Sequence, residues 1–437
     1  MSRDHPALIR MPRFWSLFGA QTLGAFADNC LRNAAIVAII AAAGATSKDT
    51  PFYFFGDFAN EAGTIVSIGF TLPIFIFAMV SGQFADRLPR HVMARRLKLL
   101  ELILMSTAAL WFFLGQALPL VLTLVVMGVQ TAFFQPVRFA LMPQYFPPER
   151  LARANGVMQA GTFIAIVAGL GLGGYFFEVE NGRMIVSIML ISAAAVGALL
   201  AAFLPEAPPP GRQKVDWNIP AVAYRYVREA AKVPGVLWPI MGNGYFWLVG
   251  AFLLAHMPIF IRDQMAGTNQ DYALLNAVFA LGAGLGSIIA GVLASRLKDP
   301  KMMSAAGLVI SILTLVAIYG YTRVPFSGAF TLFGDQGLPL VGLFVIAATA
   351  NGIFSIPMLT SFQANAPEKI SARIMGVANM TNGLFSTIGA ILASVFRQLG
   401  VDPAQMFLIL ALMQLLVLGV MAGRYQMFKS AASAPAE

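Results

Sequence analysis

The sequence predicts an all-α membrane protein of twelve transmembrane helices in two pseudo-symmetric six-helix bundles, and three observations carry that prediction. Of 437 residues, 58% are hydrophobic and only 11% charged, whereas a water-soluble chain carries roughly a quarter charged residues. The mean hydropathy is +0.74. Apolar stretches long enough for a bilayer core of ~30 Å follow one another, six on each side of a proline-rich linker. The halves also echo each other: Pro136 answers Pro357, Pro148-Glu149-Arg150-Leu151 answers Pro367-Glu368-Lys369-Ile370, and Gly156-Val157 answers Gly376-Val377, each about 220 residues apart. A chain that repeats itself at half its length folds as two like bundles.

In order, a short basic tail (Arg3, Arg10, Arg13) leads into a first span at 14–43. Its length and its embedded Asp, Asn and Arg mark it as an uncleaved helix rather than a signal peptide. Further spans fall at 62–85, 98–116, 118–141, 154–177 and 184–204. The run Pro205-Glu206-Ala207-Pro208-Pro209-Pro210-Gly211 cannot be a helix interior. Six more spans follow at 236–261, 272–294, 302–321, 337–362, 372–397 and 404–425. The division is therefore a first bundle at 1–204, a cytoplasmic linker at 205–235 and a second bundle at 236–437. Within the linker, Ile219, Val222, Tyr226 and Val227 share a face opposite Arg225, Arg228, Glu229 and Lys232. That pattern predicts a short amphipathic helix at the cytoplasmic surface.

Span one is the unusual one. Asp28, Asn29, Arg32 and Asn33 sit in its middle, and an Asp or Arg at mid-membrane costs roughly 2.5–3.5 kcal/mol on insertion scales. At ~100° per residue, Gln21, Ala25, Asp28 and Arg32 form one stripe, with Asn29 and Asn33 on its edge. Such a stripe faces protein, water or a polar ligand, and span one is read as the wall of a central cavity. The alternative is an Asp28–Arg32 pair at i, i+4 that neutralises itself and staples helices.

The net charge of +9 is topological. The tail, the linker and the loops on their side hold 23 Lys/Arg, including Arg87, Arg90, Arg95, Arg96 and Lys98 between spans two and three; the other side holds five (Lys48, Arg183, Arg262, Arg323, Arg397). This bias puts both termini in the cytoplasm, and it argues against nucleic acid as a partner. There is one cysteine, Cys30, and the histidines are scattered at His5, His91 and His256, so a cysteine-based or histidine metal site is not expected. His256 reads as a structural residue. No Gly-Lys pair exists, so no ATP-cradling loop does either. No His-x-x-x-x-Asp pair occurs. Neither an enzyme activity nor a cofactor is expected.

The loop after span two reads Gly82-Gln83-Phe84-Ala85-Asp86-Arg87-Leu88-Pro89-Arg90, and a worn copy after span eight reads Gly291-Val292-Leu293-Ala294-Ser295-Arg296-Leu297-Lys298. Gly82 permits close helix approach, Asp86 can accept hydrogen bonds from a helix N-terminus in the same half, and Arg87 and Arg90 anchor in the headgroup layer. Together they are a conformational latch favouring an outward-open state. This Gly-x-x-x-Asp-Arg-x-x-Arg run resembles the signature of major facilitator transporters, which implies the major facilitator fold.

Finer stretches resemble the bacterial lysophospholipid transporters of that superfamily: Phe26-Ala27-Asp28-Asn29, Pro136-Val137-Arg138-Phe139-Ala140-Leu141, Ala154-Asn155-Gly156-Val157-Met158-Gln159-Ala160-Gly161-Thr162, Leu275-Asn276-Ala277-Val278-Phe279-Ala280-Leu281-Gly282 and Gly352-Ile353-Phe354-Ser355-Ile356-Pro357 with Gln363 beyond. The resemblance implies uptake of lysophosphatidylethanolamine-like lipids from the outer to the inner leaflet of the cytoplasmic membrane, followed by reacylation by an acyltransferase that here is separate. Two departures stand out. Gln159 replaces the family's Glu, and the run after Phe246-Trp247 offers no basic residue in span seven. Arg32 is an extra charge, so the cationic anchor is expected to have moved to span one.

The expected substrate contacts are then Asp28 on a headgroup ammonium and Arg32 or Arg138 on its phosphate. Asn29, Asn155 and Gln159 satisfy the remaining donors and acceptors, with Asn276 and Asn382 added from the second half. Asn155 and Asn276 as interhelical bridges, and Arg138 as a cytoplasmic-end anchor, are the alternatives. A second functional class is a proton-coupled exporter of amphipathic small molecules with Asp28 as the proton carrier.

Overall fold

The computed structural model describes residues 11–44, 62–209, 215–267, 269–294, 300–324 and 331–432. Arg3, Arg10, Lys48, Arg212, Lys214 and positions 295–298 of the second signature lie outside the described residues, as do the side chains of Arg262, Lys301, Arg424 and Lys429. The helices are α1 (Pro12–Gly44), α2 (Ala62–Arg87), α3 (Arg90–Leu114), α4 (Ala117–Tyr145), α5 (Pro148–Glu178), α6 (Gly182–Ala202), α7 (Ile219–Lys232), α8 (Leu237–Ile259), α9 (Asn269–Ala294), α10 (Pro300–Thr322), α11 (Gly337–Asn365), α12 (Ser371–Gln398) and α13 (Gln405–Ala432). Setting aside the linker helix α7, the order matches spans one to twelve.

Among the described residues, nine helices are long and apolar enough to cross a membrane, and α2, bent by 57° between Ile68–Ala78 and Val80–Arg87, makes a tenth. The two long helices outside that set, α1 and α12, are the ones loaded with polar groups: Gln21, Asp28, Asn29, Arg32 and Asn33 on α1, and Arg373, Asn379, Thr381 and Asn382 on α12. Helices α3 and α5 begin earlier than the apolar runs that mark them, at Arg90 and Pro148. Hydropathy alone hides this, because the first turns of both helices carry charges.

The chain packs as two compact units. The first is Met1–Met241 with Thr360–Leu384, and the second is Gly242–Leu359 with Phe385–Glu437. The end of α11 and the first half of α12 thus pack with the first sequence half.

In the first unit α1 lies against α5 and α6, α2 against α4, and α3 against α4 and α6. Cys30, Leu31, Ala34, Met105, Ala108, Leu124, Met127, Val186 and Leu190 form its apolar core. The close crossing of α1 and α5 requires Gly169, where a Cβ would press within 3.0 Å of the Cys30 amide nitrogen. Buried charge accompanies that apolar core, and the outer faces are apolar as well. On α3, Leu99, Ile103, Leu110 and Phe113 are exposed, while Arg90 and Lys98 are among the largest fully buried side chains in the protein. That is the arrangement expected of a protein whose surroundings are hydrocarbon.

In the second unit α10 packs on α13, and His256 sits among Phe252, Phe260 and Phe407. Helices α9 and α11 cross at Gly286 and Gly352, where a Cβ on Gly352 would come within 2.8 Å of the Ser287 amide. No side chain fits there, and backbone-to-backbone packing is what joins apolar helices where no hydrophobic drive exists. Gly286→Val is expected to cost about 1–3 kcal/mol, read as a lowered melting temperature in detergent against an unchanged Gly250→Ala control, whose site is open.

Helix α7 starts where Asn218 accepts the Ala221 amide at 3.3 Å and Pro220 follows in the first turn. Its Val222, Tyr226 and Ala230, spaced at i, i+4 and i+8, are buried against protein, with α2 as a neighbour. The apolar face read as membrane-surface is therefore docked. The Gln83 side chain pairs twice with the Asp216 backbone, donating at 2.9 Å and accepting at 2.7 Å. The Asn218 amide and Arg225 guanidinium hold the exposed Asp216 carboxyl below its ordinary range, so it stays charged at neutral pH.

Candidate functional site

A cluster of charge is buried inside the first bundle. From α1 come Asp28, Asn29 and Arg32, from α3 Lys98 and Glu101, and from α4 Gln130, Thr131 and Arg138. Lys98 Nζ donates to Glu101 Oε2 at 2.6 Å, and both side chains are almost wholly buried. The Gln130 amide donates to the same oxygen at 3.3 Å and to the Leu97 carbonyl at 3.0 Å. The Thr131 hydroxyl lies 3.4 Å from Asp28 Oδ2 and 3.3 Å from Gln130 Oε1, so its one proton serves them in turn.

Asp28 is within electrostatic range of Glu101, Lys98, Arg32 and Arg138. It nonetheless forms no ion pair within 4 Å among the described residues. Arg32 instead donates to Asn29 Oδ1 at 3.5 Å and lies over the Phe70 ring at 5.1 Å. Asn29 is held by its own bond to the Ala25 carbonyl at 2.8 Å. Arg138 stacks on Phe139 at 4.3 Å and Lys98 on Phe134 at 4.5 Å. The aromatic faces carry part of the cationic charge that water would otherwise solvate.

Among the buried side-chain atoms without a hydrogen-bond partner are Asp28 Oδ1, Glu101 Oε1 and Arg138 Nε of this cluster. Buried polar atoms are mostly satisfied in native proteins, and here two carboxylate oxygens and a guanidinium nitrogen of one cluster are not. With Arg32, Lys98 and Arg138 against Asp28 and Glu101, the cluster carries one excess positive charge.

Of the residues expected from sequence, Asp28, Asn29, Arg32 and Arg138 come together here. Asn155 lies on α5 and spends its amide on Gln363 Oε1 at 2.6 Å and Thr360 Oγ at 3.2 Å. Gln159 is buried one turn on, and Thr162 accepts from Gln21 at 2.6 Å. Asn276 belongs to the second unit, and Asn382 is half-buried on α12. Four members of the cluster were missed by sequence reasoning: Lys98, Glu101, Gln130 and Thr131. In the charge count from sequence, Lys98 falls with the loop charges between spans two and three. The available signal was the i, i+3 spacing of Lys98 and Glu101 directly before the run Leu102-Ile103-Leu104-Met105.

The loop signature is also built, with two corrections. Asp86 accepts backbone hydrogen bonds from Ala372 at 3.1 Å and Arg373 at 3.2 Å, which form the N-terminus of α12. That helix belongs to the opposite sequence half, because Gly82 and Gly376 let α2 and α12 touch: a Cβ on Gly82 would meet the Ala372 carbonyl at 2.9 Å. Arg90 is no headgroup anchor. It is fully buried and donates to Asp86 at 3.2 Å, Ser371 at 2.8 Å, and the Ala85 and Ala140 carbonyls at 3.2 Å. Arg87 is exposed. Arg373 is shared between Asp86 at 3.4 Å, Glu229 of the linker helix at 3.7 Å and the Tyr226 ring at 5.2 Å.

Charges in a membrane-embedded chain are kept behind an apolar exterior, and the helix N-terminus capped by Asp86 ties two segments that the sequence keeps far apart. The chain belongs to the Major Facilitator Superfamily, whose sequence profile matches residues 17–390; it is a multi-pass membrane transporter rather than an enzyme. Curated relatives include the Lysophospholipid transporter LplT of Salmonella paratyphi A, 25% identical over 370 residues, 82% of this chain and 81% of that one. The protein of the same name from Photorhabdus laumondii is 26% identical over 307 residues, 68% and 70% of the two chains. Among solved structures, a bacterial homologue of the iron transporter ferroportin superposes with a TM-score of 0.70 at 14% identity, covering 94% of this chain and 99% of that one. FucP, a Major Facilitator Superfamily transporter, gives 0.69 at 13% identity over 96% and 99%. These two likenesses speak for the fold alone.

Proposed function

We propose that this protein carries lysophospholipids with a zwitterionic, lysophosphatidylethanolamine-like headgroup from the outer to the inner leaflet of the cytoplasmic membrane, by alternating access and without ATP. The observation that carries the reading is the open acceptor–donor set in the first bundle. A phosphate beside an ammonium is complementary to a guanidinium beside carboxylates, and the excess positive charge favours a ligand that bears phosphate. The relatives named lysophospholipid transporters support the same substrate class.

In this reading Asp28 takes the ammonium and Arg138 and Arg32 the phosphate, with Asn29 orienting Arg32. Asn155, Gln159, Asn276 and Asn382 serve as further polar contacts along the route. Gly82, Asp86, Arg87 and Arg90 are the latch that opens when the cytoplasmic side does. Both termini are cytoplasmic, and a separate acyltransferase consumes the delivered lipid.

The competing reading is a proton-coupled exporter. What favours it is that Asp28 stands opposite a second carboxylate, Glu101, so that a proton shared between them is an alternative to a bound cation. Spheroplasts expressing the chain and given radiolabelled lysophosphatidylethanolamine separate the two. Uptake above the empty-vector level that persists with a protonophore is expected. Uptake abolished by the protonophore alone overturns the flippase reading in favour of the exporter.

A further inference from the structure

We infer that Glu101 is a second acceptor for the headgroup ammonium and sets the preference for lipids that carry one. The inference rests on the lysophospholipid reading above and extends it to a residue that neither the motifs nor the relatives assign. Glu101 is 2% exposed, yet it is not consumed by its neighbours: Lys98 and Gln130 both engage Oε2, and Oε1 is left open.

Its position is set by Gly24. A Cβ there would strike the Lys98 ammonium and lie 3.2 and 3.4 Å from the two Glu101 oxygens, so the Lys98–Glu101 pair packs as a unit against bare α1 backbone. Gly24 and Asp28 are at i and i+4, on one face and about 5.4 Å apart along the helix axis. The Glu101 carboxylate is thus packed against α1 one turn before Asp28 and within electrostatic range of it. Two carboxylate oxygens that each lack a donor suit a group with several N–H bonds, which a primary ammonium has and a glycerol headgroup lacks.

Lys98 has a distinct task. It stacks on Phe134 and donates to Glu101 Oε2, which leaves Oε1 as the acceptor without a donor. Burying Glu101 without this partner would cost more than a single ammonium contact returns.

The test is uptake of two radiolabelled probes, lysophosphatidylethanolamine and lysophosphatidylglycerol, by the full-length protein in proteoliposomes. Glu101→Gln is expected to lower ethanolamine-lipid uptake at least tenfold and to change glycerol-lipid uptake less than threefold, because only the first probe carries the ammonium. Equal loss of both, or of neither, overturns the assignment of Glu101 and leaves the transport reading standing. A wild-type protein that moves neither probe overturns the transport reading, and this one with it. Should Glu101→Gln fail to fold with Lys98 unpaired, Glu101→Asp keeps the charge and withdraws the oxygen by one methylene. It is expected to shift the ratio of the two uptakes at least threefold, and an unchanged ratio again overturns the assignment.

Discussion

Asp28→Asn is expected to lower lysophosphatidylethanolamine uptake about 30- to 150-fold at subsaturating lipid. A charge-assisted hydrogen bond to the ammonium and the ion attraction behind it contribute roughly 2–3 kcal/mol in a site shielded from water, at 1.4 kcal/mol per tenfold. The fold should be spared. Asp28 Oδ1 has no protein partner, and the bond from Thr131 to the other oxygen is long, so an amide of the same shape loses little in the resting protein. The melting temperature in detergent is therefore expected to stay within a few degrees of wild type. Near-normal uptake by this variant would remove Asp28 from substrate binding and with it the reading of the whole cluster.

Asp86→Asn is expected to release the proposed latch. The carboxylate carries two backbone bonds from α12 as well as Arg90 and Arg373. Removing its charge leaves the fully buried Arg90 without a counter-ion, and breaking a buried pair costs about 3–5 kcal/mol. At 3 kcal/mol the balance between latched and open states moves about 100-fold. Cys30 is the sole cysteine and is buried, so a Cys30→Ala background gives a clean labelling assay. A cysteine at Ala85, a fully buried position beside Asp86, should react with maleimide at least tenfold faster once Asp86→Asn is added. Unchanged labelling would make the arrangement a static brace.

The linker changes how that release is read. Arg373 divides its guanidinium between Asp86, Glu229 and the Tyr226 ring, and Gln83 holds the backbone at Asp216. The linker therefore sits in the first unit, in contact with the Asp86 cluster.

Much of the candidate site was legible because charge in an apolar stretch is conspicuous. Asp28, Asn29 and Arg32 interrupt some thirty otherwise membrane-like residues, and helical spacing alone puts them on one stripe. Lys98 and Glu101 escaped because they follow four basic residues, Arg87, Arg90, Arg95 and Arg96, where a hydropathy reading sees a loop ending and a helix starting. Continuous hydrogen bonding from Arg90 onward carries the helix through both charges. Their partners then come from other helices: Gln130 on α4, the Phe134 face, and the gap above Gly24.

By itself, the sequence determined the membrane class, the polar stripe on the first helix and the loop signature, because each follows from local composition or from spacing along one element. Only the tertiary structure decided that Asp86 caps a helix from the far end of the chain, that Arg90 is buried, and that Glu101 shares a site with Asp28. Those outcomes depend on which glycines let which backbones touch. A glycine announces in sequence that an approach is possible, and packing alone chooses the partner.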